Sequence, residues 1–267
     1  MNKESRLQEA YLSRLEKQRR KIMAARILLA LAFFLLWETA ADRGWIDSFF
    51  FSSPSRLGRL FLSMWRDGSI FLHVGITLSE TLVSFALVVV IGLAVSLLLW
   101  LSDSVFQVLE PYLVILNSLP KSALAPLLIV WLGANSRTII VAGMSVAIFG
   151  TILNLYTGFT ETSREKIRLI YTLHGTKKDA LTKVVLPSTV PMIISIMKVN
   201  IGLCLVGVVI GEFIGARNGL GYLIIYGSQV FQLDLVILSI LILCLMAMLL
   251  YGGVTAAEKL YHRRQHA

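Results

Sequence analysis

ETSREKIRLIYTLHGTKKDALTKVVLPSTVP, residues 161–191, is a charged interruption between two long apolar runs, carrying Arg164, Lys166, Arg168, Lys177, Lys178 and Lys183. A minimal connection between helices needs only ~2–8 residues, so a segment this long and this basic has a role of its own. Ile167, Ile170, Tyr171 and His174 share one face at helical spacing, and Leu181, Val184 and Val185 form a second apolar face beyond Gly175. The pattern predicts two short helices. Gly175 is expected to take the left-handed conformation that ends the first, and Pro187 to block simple continuation of the second into the next apolar run. On spacing alone the segment is either an amphipathic connector lying on lipid or a docking surface for another protein.

Composition sets the class. Of 267 residues, 56% are hydrophobic and 15% charged, and the mean hydropathy is +0.75. That is more apolar surface than one soluble core hides. With ~20 apolar residues needed per crossing, six spans are predicted near Ile22–Ala41, Leu82–Leu101, Leu113–Leu132, Ile139–Phe159, Met192–Ile214 and Leu233–Val254. Pro120 and Pro126 each remove a backbone donor from the third, which should kink or split it. Between the first two spans, Ser52-Ser53-Pro54-Ser55 marks the start of a surface helix running through Leu57, Leu60, Phe61 and Met64.

Cationic residues set the expected orientation. Seventeen Lys and Arg fall in residues 1–26, 160–191 and beyond 254, against six in the alternate connections, so both termini and the 160–191 loop are expected in the cytoplasm. This gives a basic cytoplasmic N-terminal segment, 1–21, and a transmembrane domain, 22–267. Thr39-Ala40-Ala41 is weakly like a cleavage site, but its long mixed-charge leader argues against removal. The same rule accounts for the net charge of +9, and no nucleic-acid partner is expected.

Catalytic and metal-binding patterns find little support. No Gly-x-x-x-x-Gly-Lys-Ser/Thr phosphate loop occurs, and Gly175-Thr176-Lys177-Lys178 lacks the spacing to cradle phosphates. His73, His174, His262 and His266 lie near span ends or in loops, so no imidazole is placed at mid-membrane to activate Ser145. Cys204 and Cys244 lie in apolar runs and read as buried hydrophobes, not as a disulfide or metal framework.

Several ordered motifs together resemble one family. They are Leu119-Pro120-Lys121-Ser122-Ala123-Leu124-Ala125-Pro126-Leu127 with Trp131-Leu132-Gly133; Asn154 with Gly158; Gly175 with Leu186-Pro187; and Gly211-Glu212 through Gly219-Leu220-Gly221-Tyr222-Leu223-Ile224. From Phe71 to the C-terminus the chain resembles the permease subunits of binding-protein-dependent ABC importers, in the branch handling nitrate, sulfonates, taurine and some vitamins or their precursors. The resemblance implies the six-span type I importer permease fold in a bacterial plasma (inner) membrane. It also implies a second copy of the chain, cytoplasmic ABC ATPase subunits that bind the ATP and Mg, and an extracytoplasmic solute-binding protein. The chain itself would bind no cofactor and hydrolyse nothing. Glu165, Tyr171, His174, Gly175, Leu186 and Pro187 would belong to the loop that docks the ATPase. The sequence departs from the family where Leu169, Ile170 and Tyr171 stand at the Glu-Ala-Ala positions and where Lys198 stands for the usual Arg; Glu165, one turn earlier, is a candidate substitute carboxylate.

Gly207, Gly211, Gly215 and Gly219 repeat every four residues and predict a close helix-packing seam, whose partner, the same chain or a second copy, spacing leaves open. An unpaired charge at the bilayer centre costs at least ~2.5–3.5 kcal/mol, so Lys198 and Glu212 are candidates for the translocation path or a gate, beside the alternatives that Lys198 snorkels and Glu212 is interfacial. Asn154 and Asn200 are candidates for the same path, or for bonds between helices. A rival function, an ion-coupled secondary transporter, requires mid-membrane carboxylates, and Glu38, Glu110 and Glu212 all fall near span ends; a non-transporting membrane scaffold is the third possibility.

Overall fold

A computed structural model describes the backbone of residues 3–265 and the side chains of 17–260. Every regular element among the described residues is helical. Residues 1–63 and 64–267 form two compact units.

In the first unit, α1 (Lys3–Asp42) runs through both the basic segment and the first apolar stretch, since no Gly or Pro occurs before Gly44 to end it. The Glu38 carboxylate accepts from the Ser55 N–H at 2.9 Å, and the Trp37 indole donates to the Phe51 carbonyl at 3.2 Å. These contacts fold α2 (Ser48–Phe51) and the start of α3 (Pro54–Arg66) back on the end of α1. Pro54 opens α3, where its missing N–H has no helical partner to lose.

The second unit is built on α4 (Ser69–Leu101), α7 (Ser136–Thr160) and α10 (Leu186–Gly215). Against lipid, burial of apolar groups gives little net attraction between helices, so small residues and hydroxyls hold them together. On α4 the Ser84 hydroxyl donates to the Ile140 carbonyl at 3.0 Å, and Ser96 reaches the Ile152 carbonyl at 3.2 Å. The glycine stripe of α10 meets α7 of the same chain: a Cβ at Gly207 would lie 2.8 Å from Gly143 Cα and 2.7 Å from Val146 Cγ2, and Gly211 abuts Ala142 and Ile139. Gly215 faces Ile129 of α6 (Lys121–Leu132). Gly219 stands outside the stripe, at the N-cap of α11 (Leu220–Gln229) with φ +113°. α12 (Leu233–Gln265) closes the bundle.

Among the described residues five helices are long and apolar enough to cross a membrane, and a bent pair of helices makes a sixth apolar element, either a broken span or a re-entrant loop. Two boundaries differ from the sequence reading. The second apolar helix begins at Ser69, thirteen residues before Leu82. The third, read as Leu113–Leu132, is split as its prolines suggested but begins ten residues earlier: α5 (Asp103–Ser118) and α6 meet at 95°. The break falls at Leu119–Pro120, where the Lys121 ammonium takes the Leu116 and Asn117 carbonyls at 2.7 and 2.8 Å and so satisfies the end of α5. Pro126 stays inside α6 without ending it.

Replacing Gly207 with Leu is expected to destabilise the chain by about 1–3 kcal/mol, because the branched side chain must displace the α7 backbone. Thermal unfolding in detergent reads this, with Gly202→Leu, whose Cβ position meets nothing within 4 Å, as the neutral control.

Candidate functional site

The 161–191 segment divides into an exposed half and an embedded half. α8 (Arg164–Thr172) starts at Ser163, whose hydroxyl caps the Lys166 N–H, and ends in a Schellman motif. The Gly175 N–H donates to the Ile170 carbonyl at 2.9 Å and the His174 N–H to the Tyr171 carbonyl at 3.0 Å. The left-handed residue is His174, with φ +59°, and not Gly175 as the sequence suggested. Glycine is required one position later for a steric reason: a Cβ there would stand 2.9 Å from the Ile170 carbonyl oxygen.

Ile167 and Ile170 turn inward, onto a cluster of Trp100, Leu155, Phe159, Ala180, Leu181, Val185 and Met197. Tyr171 and His174 do not join them; with Glu165, Leu169 and Leu173 they are exposed, Leu169 at 58% and Leu173 at 71%. Leu169 and Leu173, one turn apart, are the apolar surface that the sequence reading missed. Beyond Gly175, Thr176 and Asp179 form a capping box at the start of α9 (Lys177–Ala180). The Thr176 hydroxyl and N–H, then Lys183, hold the Asp179 carboxyl well below the usual carboxylate range.

Pro187 does not stop the chain. A π-helical turn, Leu181–Val185, carries α9 directly into α10, and the Leu186 N–H bonds back to the Leu181 carbonyl. The wider turn moves away the carbonyl that a proline ring would strike and leaves no donor to lose. Leu186 packs against the cluster and Pro187 is exposed.

Among the polar candidates, Asn154 and Asn200 line one cleft of about 340 Å3 with Asn117, Ser195 and Val199. Asn200 is buried and donates to Thr151 Oγ1 at 2.8 Å, so its amide carbonyl keeps acceptor capacity. Lys198 is absent from that lining; it ion-pairs with Glu258 of α12, a partner sixty positions away that spacing does not reveal.

Glu212 is 1% exposed and is tied to two other helices. Its Oε1 accepts from the Thr77 hydroxyl at 2.7 Å and its Oε2 from the Gly221 N–H at 2.6 Å. The Leu220 N–H donates to Thr77 Oγ1 at 2.8 Å and the Gly219 N–H to His73 Nδ1 at 3.0 Å. Three consecutive N–H groups that open α11 are thus satisfied by side chains of α4 and α10. Gly219 and Gly221 allow this approach, since a Cβ at either would run into Glu212. Nearby Glu80 is 3% exposed, with both oxygens unbonded, facing a cavity of about 190 Å3 shared with Ser136, Asn135 and Arg217. Glu80 was absent from the carboxylates counted above because the second helix was begun too late; His73, Thr77, Glu80, Thr81 and Ser84 form a polar stripe at helical spacing.

A broken apolar pair, a polar intramembrane cleft and a structured loop between two crossings together define a transport permease. Residues 88–265 match the family described as binding-protein-dependent transport system inner membrane component, and the chain belongs to it. Relatives include a probable ABC transporter permease of Haemophilus influenzae, 29% identical over 89% of this chain and 95% of its own length. The formylaminopyrimidine transport permease ThiX of Halalkalibacterium halodurans is 27% identical over 87% and 92%, and the taurine permease TauC of Escherichia coli 24% over 84% and 83%. The fold matches an inward-facing MetNI methionine ABC transporter structure with a TM-score of 0.60 at 20% identity, over 69% of this chain and 92% of that one. The chain is therefore a non-enzymatic ABC importer permease, and the ATPase is a separate subunit.

Removing the clasp should loosen the α11 end. Glu212→Ala leaves a buried hydroxyl and a buried N–H without their acceptor, at about 1–3 kcal/mol each, and is expected to lower the melting temperature. Glu212→Gln, which keeps one carbonyl oxygen, should lose less; equal melting of both variants and the parent would refute the clasp.

Proposed function

We propose that two copies of this chain form the path for a small solute across a bacterial inner membrane, with both termini in the cytoplasm. Each copy docks one ATPase subunit through the exposed side of α8, and a solute-binding protein delivers the solute from outside. The observation that carries this reading is the loop. Leu169, Tyr171 and Leu173 are held outward on a helix whose other face and whose continuation into α10 are anchored in the bundle. Such a surface is suited to pass a push from a partner into a transmembrane helix. ATP-driven closure of the ATPases would move α8 and switch the central path between inward and outward access.

The cleft supports a class of solute. Its lining offers carboxamides and a hydroxyl but no cation, and the neighbouring Lys121 ammonium is already held by two carbonyls. Among the relatives' printed cargoes are taurine, aliphatic sulfonates, nitrate, riboflavin and formylaminopyrimidine. A neutral heterocycle, such as a vitamin or vitamin precursor, suits paired donors and acceptors better than a sulfonate does. A ligand screen on the external binding protein separates the two.

Three measurements test docking. The purified chain should show no ATP hydrolysis and should gain it only with an ATPase subunit. Gly175→Val should insert normally yet lose at least half of the co-purifying ATPase, because the added side chain breaks the Schellman turn that aims α8. Cysteine crosslinks from Tyr171 or Leu173 to the ATPase should form in the assembled complex; their absence there would remove these positions from the interface.

A further inference from the structure

We propose that Lys177 is the positioning residue that passes motion of the 161–191 loop to α5, and through α5 to the cleft; this rests on the importer reading above. α4 ends at Leu101, a single extended residue, Ser102, follows, and α5 begins at Asp103. This junction is a hinge of one residue. The Lys177 ammonium donates to the Leu101 carbonyl at 3.1 Å, sits 5.4 Å over the Trp100 ring and lies 4.0 Å from the Asp103 carboxylate. One cation therefore touches the last turn of α4 and the first residue of α5. Its position at the C-terminus of a 33-residue helix is also where a positive charge is favoured.

The other lysines in this half of the loop do something else. Lys178 is exposed, and Lys183 closes a local pair with Asp179 at 2.9 Å. Only Lys177 among them reaches across to other helices.

α5 has the properties of a lever. It has no buried residue along its length, and near its start Phe106 stacks on Tyr156 of α7 at a ring separation of 3.5 Å. Its far end carries Asn117 into the cleft that Asn154 and Asn200 line. Between its two ends α5 meets the bundle through Phe106 and Leu113 alone in the apolar cluster around Val88 and Ile148, and an element held at its loop end moves as a unit when that end is displaced. Lys177 follows the α8 turn by two residues from Gly175, so it adds a polar contact reaching Asp103 of α5 to the apolar contact that Ile167 and Ile170 of α8 make with the Trp100 cluster at the end of α4.

The test uses the complete complex in proteoliposomes, with Lys177→Met, which keeps the apolar stem over Trp100 and removes the charge. The expected result is ATPase association and ATP turnover within two-fold of the parent, with solute moved per ATP reduced about five-fold, inside the range coupling residues reach. Lys177→Arg, which still donates to Leu101 and stacks on Trp100, should restore at least half of that ratio. An unchanged ratio in the Met variant, or equal loss in Met and Arg, would overturn the proposal. A second readout stands independently of the importer reading: amide hydrogen exchange of the chain alone in lipid nanodiscs. Lys177→Met should speed exchange in residues 103–108 while leaving α7 unchanged, and no change there would overturn the clamp. If the parent chain captures no ATPase, the importer reading fails and exchange still decides the clamp.

Discussion

The arrangement of the bundle away from the loop depends on one buried carboxyl group. Glu212 sits on the last turn of α10, and a charged or polar group so placed in an apolar medium persists only if its oxygens are used. They are used, by a hydroxyl from α4 and an N–H from α11. The same interaction solves a second problem, because α11 begins inside the bundle and its first N–H groups have no helical acceptor. Thr77 serves both ends of the solution, donating to Glu212 and accepting from Leu220. The sharp return from α10 to α11 at residues 216–219 is therefore fixed by three side chains and by two glycines small enough to let the backbone in.

At the loop end, the solution is different in kind. There one surface, that of Leu169, Tyr171 and Leu173, is left uncovered while the segment around it is anchored. The Schellman turn at His174–Gly175 closes α8, the capping box opens α9, and the π turn merges α9 with α10. Each satisfies backbone groups locally, so the exposed face of α8 does not have to do so. Ala180 and Val185, both fully buried, lock the second half against Leu155 and Phe159 of α7. The segment is thus capped or hydrogen-bonded at each of its breaks, at Ser163, at His174–Gly175, at Thr176 and at the π turn.

Much of this was legible in the sequence, where the physics is local. Apolar length revealed the crossings, Pro120 marked the break in the third, and the four-residue glycine period identified the α10 seam. The seam's last member was misread because Gly219 continues the period after the helix has already ended at Gly215. At the loop, glycine was correctly read as the turn residue but for the wrong backbone angle: the left-handed position is His174, and Gly175 is needed for its missing Cβ. Pro187 looked like a stop because a proline rule assumes an α-helix, and a π turn removes the clash. Contacts such as Lys198–Glu258 and Lys177–Leu101 join residues far apart in the chain and carry no periodic signal.

The α4 stripe shows how one boundary error propagates. Starting the second crossing at Leu82 left His73, Thr77 and Glu80 in a supposed outer connection, where polar residues need no explanation. Starting it at Ser69 places them on a membrane-length helix at spacings of three and four, where they demand partners. Thr77 and His73 find theirs in the α10–α11 return. Glu80 finds none at bonding distance and opens instead on the cavity beside Ser136, at the start of α7. Its carboxyl group therefore lies where the positive end of a 25-residue helix dipole can offset part of its burial. Helix termini here meet buried carboxyl groups twice, the start of α11 through a direct hydrogen bond to Glu212 and the start of α7 across the cavity it shares with Glu80.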